Sequence, residues 1–118
     1  PRDASALIPQ IDATQVRALL ALVGPARVRA YMGILQQRLD GLANTDMSRA
    51  GDRAVFLSVV HQCIGSCKSM GLTAMSVALE DAMGKATEGG DISQPWAHVR
   101  DSLDQGRRAI EAVIAESL

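Results

Sequence analysis

Residues 49–80 read RAGDRAVFLSVVHQCIGSCKSMGLTAMSVALE, and their pattern indicates the fold class. Its apolar residues recur every three or four positions up to Met70, and the same spacing resumes after Gly71. That period is typical of amphipathic helices. Glycine commonly ends a helix because it tolerates the left-handed backbone conformation. We therefore predict two consecutive helices, over about 49–70 and 72–86, joined by a turn at Gly71.

The same periodicity extends to both sides of this pair. Two helices are predicted before it, over about 11–23 and 25–42, because Gly24 stops one and Pro25 starts the next. A last helix is predicted to run to the end of the chain, with Ser93 as its cap and Pro95 in its first turn. Residues 1–10 lack periodicity and are interpreted as a tail or linker. Because short connections favour antiparallel neighbours, the predicted fold is all-α, an antiparallel four-helix bundle with an additional short N-terminal helix over residues 11–118.

Composition limits the possible partners and compartment. Twelve basic and 13 acidic residues give a formal net charge of −1, which argues against nucleic acid as a partner. No apolar run approaches the roughly 18 residues of a membrane span. Cys63 and Cys67 lie one helical turn apart and make a poor structural disulfide, so a reducing cytoplasm is expected. We expect a monomer that binds neither nucleic acid nor membrane.

One histidine is predicted to face solvent from the helix over 49–70. At about 100° per residue, the buried stripe of this helix lies about 150° from His61. That stripe consists of Phe56, Val59, Val60, Cys63, Cys67 and Met70. The exposed side around His61 is predicted to carry Ala54, Leu57, Ile64, Gly65 and Lys68. An apolar patch around an exposed polar centre is typical of a docking surface, so these five residues are the predicted partner contacts.

The residues near His61 suit a nucleophilic imidazole. Gly65 in mid-helix costs about 1 kcal/mol relative to alanine, which makes sense where another molecule must approach closely. A neutral imidazole nitrogen is a competent nucleophile near neutral pH. Attack on a phosphoryl group requires free in-line approach and a cation, for which Lys68 is the candidate.

The segment His61–Gly71, HQCIGSCKSMG, followed by LTAMSVALE, resembles the motif of histidine-containing phosphotransfer domains, which reads roughly H-x-x-K-G-x-x-x-x-x-G. The resemblance implies a phosphoryl carrier, rather than a conventional enzyme, in a two-component phosphorelay. His61 matches the phosphorylated histidine, Gly65 the clearance glycine and Gly71 the turn. The implied partners are response-regulator receiver domains, a hybrid sensor histidine kinase, or both. No cofactor is implied for the chain itself, since the receiver domain supplies Mg²⁺.

Two positions depart from that family's pattern. Ile64 stands where the family usually has lysine, and Lys68 on the same face is the candidate replacement. Met83 stands where a glutamine or glutamate often hydrogen-bonds the imidazole, and Glu80 or Ser76 is the candidate replacement. These departures leave open a degenerate relative that docks a receiver or another regulator without accepting phosphate.

Two further alternatives concern other chemistry. A structural bundle that oligomerises through Leu57 and Ile64 remains a third hypothesis. A zinc site built from Cys63, Cys67, His61 and His98 is excluded, because the wheel places both cysteines in the core and His61 outside it. We therefore predict no metal site, two buried thiols that pack as small hydrophobes, and His98 on the surface.

Overall fold

Five helices account for the regular structure in a computed structural model of the chain, which describes residues 10–117, with side chains through Glu116. They are α1 (Ala13–Val23), α2 (Pro25–Leu42), α3 (Ala50–Met70), α4 (Thr73–Thr87) and α5 (Ser93–Ser117). The described residues contain no strand, and the prediction of an all-α fold is confirmed. The predicted tail over residues 1–10 lies outside the described residues, apart from Gln10.

The start of α1 and the break between α1 and α2 follow from local sequence. The Asp12 carboxylate accepts a hydrogen bond from the Gln15 amide at 3.1 Å, which caps α1. Gly24 ends α1 with φ +86°, and Pro25 begins α2. Within residues 10–117 no single helix is long and apolar enough to cross a membrane, and α1 with α2 reaches that composition only as a pair bent by 114°.

The turn between α3 and α4 is built by Gly71, as predicted. Its φ of +77° lies in the left-handed region, which glycine adopts without a steric penalty. The Leu72 amide donates to the Cys67 carbonyl at 2.9 Å, and the Gly71 amide donates to the Lys68 carbonyl at 3.4 Å. This pair of bonds is a Schellman motif, which satisfies the last carbonyls of α3 and reverses the chain.

The N-terminus of α1 is fastened to that turn. The Asp12 amide donates to the Gly71 carbonyl at 2.8 Å. The Gln15 side-chain amide donates to the carbonyls of Lys68 at 2.6 Å and Ser69 at 3.1 Å. These bonds use helix-end carbonyls that would otherwise need water, and they hold the short first helix against the C-terminal end of α3.

The start of α5 differs from the prediction. Ser93 is the first helical residue rather than a cap before Pro95. Its amide and hydroxyl both donate to the Asp91 carboxylate, at 2.9 and 2.7 Å, and they lower the pKa of that carboxyl. The sequence pattern pointed to serine because serine is a common cap, but here the acceptor is the aspartate two residues earlier.

The core lies along α3 and α4, and α4 contacts both α3 and α5 most extensively. Its largest fully buried side chains belong to Phe56, Leu72, Met75, Leu79, Ile110 and Ile114. The Phe56 and Trp96 rings pack at a centroid distance of 5.3 Å. Gly106 permits close approach of α5, since a Cβ atom there would lie 2.9 Å from Leu72 Cδ2.

Helix α2 contacts α3 and α5, and two ion pairs fix its direction relative to α5. Arg29 donates to both Glu111 carboxylate oxygens at 2.8 and 2.9 Å. Arg100 lies 3.1 Å from the Asp40 carboxylate. The early part of each helix therefore meets the late part of the other, so α2 and α5 run antiparallel. Because these pairs are exposed and screened by solvent, each contributes little to the free energy of unfolding.

Candidate functional site

His61 lies near the middle of α3 with its imidazole exposed, as the helical wheel predicts. The opposite face of α3 is buried, including Phe56, Val60, Cys63 and Cys67. No residue among 10–117 forms a hydrogen bond or an ion pair with the His61 ring. The ring is therefore accessible to another molecule, with its nitrogens uncommitted to the fold.

Gly65 follows His61 by one helical turn and is exposed. A Cβ atom built at Gly65 would meet nothing within 4 Å, so the packing of the chain does not require glycine here. The same holds for Gly33 in the middle of α2, so open space alone does not distinguish Gly65. What distinguishes Gly65 is its position on the histidine side of α3, where the missing side chain lowers the local surface.

Lys68 and Glu80, the predicted supports for the phosphoryl group and the imidazole, are brought together. Lys68 Nζ lies 3.0 Å from Glu80 Oε1, and this ion pair joins the last turn of α3 to α4. Both side chains are substantially exposed, at 63% and 47%. Solvent screening makes such a pair worth at most about 1 kcal/mol, so it can open at low cost.

Ile64 corrects the predicted docking surface. Its side chain is only 6% exposed and belongs to the core, whereas the wheel placed it beside His61 on the solvent side. The reason is the close packing of α4 on α3, which covers the edge of the helix as well as its centre. Leu57, on the same edge two turns earlier, is half-buried against the core, while Ala54 is exposed. The prediction of an exposed patch formed by Leu57 and Ile64 is therefore wrong. The hypothesis of oligomerisation through that patch is not supported.

The residues of α4 considered as hydrogen-bond partners for the imidazole differ in burial and in their existing contacts. Ser76 is 6% exposed, and its hydroxyl donates to the Thr73 carbonyl at 2.8 Å, so it is committed to its own helix. Met83 is partly buried against the core. Glu80 is exposed and paired with Lys68, which leaves it as the polar candidate on α4.

A groove that the sequence did not reveal lies on the other side of Gly65. It measures about 510 Å³ and is formed where α1, α2 and α3 meet. Its lining residues are Leu19, Tyr31, Ile34, Leu35, Arg38, Gly65, Ser66, Ser69 and Met70. Ile34 is 47% exposed at this groove. The groove depends on the bend between α1 and α2, which the periodicity of a single helix does not contain.

The two thiols are buried and free, and the prediction that both lie in the core is confirmed. Burial raises the pKa of Cys67 to about 12. Burial also raises the pKa of Cys63, and the nearby positive charge of Arg38 opposes that shift. Both thiols are therefore protonated at neutral pH and pack as small apolar groups. His98 is exposed on α5, as predicted.

Comparison of the chain with protein-family models, with curated proteins and with solved structures finds no match.

Proposed function

We propose that the chain is a histidine phosphotransfer domain that accepts a phosphoryl group on His61 from the aspartate of a receiver domain and passes it on in a two-component phosphorelay. The observation that carries the proposal is the exposed, uncommitted imidazole of His61 one turn from the bare backbone of Gly65. In this proposal α2, α3, α4 and α5 form the antiparallel four-helix bundle, with α1 as the short additional helix. The antiparallel ion pairs between α2 and α5 support it.

The transfer step needs little chemistry from the carrier. The unprotonated ring nitrogen of His61 attacks the phosphorus of the partner's aspartyl phosphate, forming a P–N bond as the P–O bond to the carboxylate breaks. The carboxylate leaves with the bonding electron pair, and the phosphorylated ring keeps the proton on its other nitrogen. The receiver domain supplies the Mg²⁺ that neutralises the phosphoryl oxygens. The chain acts as a carrier rather than as a conventional enzyme.

Lys68 and Glu80 have separate tasks in this proposal. When the phosphoryl group arrives, Lys68 exchanges its contact with Glu80 for one with a phosphoryl oxygen. Such an exchange is inexpensive because the ion pair is exposed. Glu80 then accepts the hydrogen bond from the imidazole N–H, which is the task that Met83 lacks the polar atoms to perform.

The proposed docking surface comprises the exposed residues of the histidine side together with the neighbouring groove. Ala54, Gly65 and Lys68 are exposed, and Leu57 is partly so. The groove adds the apolar side chains of Tyr31 and Ile34, which take the place that Ile64 was expected to fill. A receiver domain seated over both features brings its phosphorylated aspartate to His61. Such partners, together with the two free thiols, favour the cytoplasm as the compartment.

A second candidate function is a binding module that docks a receiver domain or another regulator without accepting phosphate. Two observations favour it: Ile64 is buried where the family has an exposed lysine, and Met83 offers no hydrogen bond to the imidazole. Docking would then use the same surface, and His61 would be a contact residue only.

A phosphotransfer profile against the receiver domains of the host separates the two functions. Each receiver is phosphorylated with a labelled donor, mixed with the chain, and the chain is examined after acid and after base treatment. Carrier function predicts a label on the chain that acid removes and base preserves, as for a phosphohistidine. Binding of a receiver with no transfer of label, including treatment with small phosphodonors, favours the binding module instead.

A further inference from the structure

The groove between α1, α2 and α3 contains one charged side chain. Arg38 lines it from α2, and the other lining residues include no carboxylate. Arg38 is exposed, and in the described part of the chain it forms no ion pair or hydrogen bond. By contrast, Arg29 on the same helix is held by both carboxylate oxygens of Glu111. The guanidinium of Arg38 is therefore an unpaired positive charge at a mainly apolar groove.

Arg38 also lies near the histidine-bearing segment of α3. It shares the groove with Gly65 and Ser66, and its charge acts on the Cys63 thiol. On the histidine side of α3, Lys68 is paired with Glu80. Position 64, where the phosphotransfer family usually has lysine, holds a buried isoleucine. On the groove side of α3, Arg38 is thus the cation available to a docked partner.

We propose that Arg38 is a specificity-determining anchor, which pairs with a carboxylate of the docked protein. The docked protein places an apolar side chain in the groove next to that carboxylate. The inference rests on the proposed function, since the partner is the receiver domain that phosphorylates His61. Guanidinium groups bind carboxylates through two parallel hydrogen bonds, so the pair would fix the orientation of the partner as well as attract it. Low-polarity walls such as those of Leu35 and Met70 strengthen the attraction relative to open water.

The test measures binding separately from transfer. The receiver domain that labels His61 fastest serves as the probe, and its Kd and association rate are measured with the full chain at low and at high salt. Arg38→Gln is expected to weaken binding about tenfold at low salt, mainly through slower association, and to reduce the salt dependence. Arg38→Lys is expected to restore part of the affinity. Arg38 is exposed, so the folded structure should survive, which circular dichroism checks.

Arg27→Gln is the matched control. Arg27 is on the same helix, is exposed, changes the net charge equally and does not line the groove. It lies three turns from Arg38, about 16 Å along the helix axis. Affinity that falls for Arg38→Gln but not for Arg27→Gln supports the anchor. Equal affinities of wild type and Arg38→Gln overturn the anchor and leave phosphotransfer standing, provided His61 is still labelled. Failure of every receiver to label the chain overturns the proposed function and, with it, the anchor.

Discussion

Lys68 Nζ and Glu80 Oε1 lie 3.0 Å apart and connect the last turn of α3 to α4 beside the histidine-bearing face. Lys68 and Glu80 are the charged residues that the sequence suggested as supports for a phosphoryl group and the imidazole. Lys68 follows His61 by two helical turns, and its charge is balanced by Glu80 until a competing anion arrives. The two residues therefore make different contributions to stability and to transfer, which substitution can separate.

Lys68→Gln should slow phosphoryl transfer to His61 by about tenfold, because a cation that balances the phosphoryl oxygens is lost. Its effect on the free energy of unfolding should stay below about 1 kcal/mol, because the ion pair is exposed. Single-turnover labelling and urea unfolding measure the two quantities. Lys85→Gln, which removes an exposed lysine from α4, is the control and should leave the labelling rate unchanged. Equal rates for the two variants would remove Lys68 from the site.

Gly65→Ala should stabilise the fold and impair transfer at the same time. Alanine in mid-helix is favoured over glycine by up to about 1 kcal/mol, and the new methyl group would meet nothing within 4 Å. The same methyl group would obstruct a partner approaching His61. Gly33→Ala offers a matched comparison, since it is also open and lies in mid-helix. We expect a raised Tm for both variants and slower labelling for Gly65→Ala alone. Unimpaired labelling of Gly65→Ala would show that no clearance is needed there.

Gly71→Ala should destabilise the protein by more than Gly89→Ala, which lies in the loop after α4, does. Both glycines have a similar positive φ, +77° and +76°, so alanine suffers a backbone penalty of about 1–2 kcal/mol at either position. Only at Gly71 would the new Cβ atom also press on neighbours, 3.1 Å from Val16 Cγ2 and 3.2 Å from the Asp12 carbonyl oxygen. Thermal or urea unfolding compares the two variants. A smaller loss at Gly71 would contradict the tight seating of α1 on this turn.

The raised pKa of Cys67 predicts a loss of stability in alkali. Below its ordinary value of 9.0 the thiol is protonated in both the folded and unfolded states, so stability is fully retained. As pH rises from 9.0 toward about 12, the unfolded thiol ionises while the folded one does not, so the free energy of unfolding falls. The slope approaches about 1.4 kcal/mol per pH unit for each such thiol.

Cys67→Ala isolates that contribution. The variant should begin less stable because it leaves a small cavity, but its stability should fall less steeply above pH 9.0 than that of wild type. Urea unfolding at several pH values gives the two slopes. Parallel slopes would mean that the buried thiol does not control the alkaline transition.

The helices were predictable because local sequence signals agree with the tertiary packing. Predicted and observed boundaries differ by at most two residues, and Gly24, Pro25 and Gly71 act where their backbone preferences place them. The exposure of His61 was also predictable, since it lies almost opposite the buried stripe. A residue so far from the stripe keeps its environment even if neighbouring helices pack more closely than expected.

The edges of the site were not predictable from helical periodicity. The burial of Ile64 depends on how far α4 wraps around α3, which a wheel for one helix does not contain. The groove and Arg38 depend on the 114° bend between α1 and α2, and so on contacts among three helices. Residues that lie between the buried and exposed faces of a helix are decided by the neighbouring helices rather than by their own.

Phosphoryl transfer to His61 is tested by labelling His61→Gln and His98→Gln with the same phosphorylated receiver domain. These are the two histidines of the chain, and both are exposed, so each variant should fold normally by circular dichroism. The expected result is that His61→Gln accepts no acid-labile label, whereas His98→Gln is labelled like wild type. Label that persists on His61→Gln would contradict it.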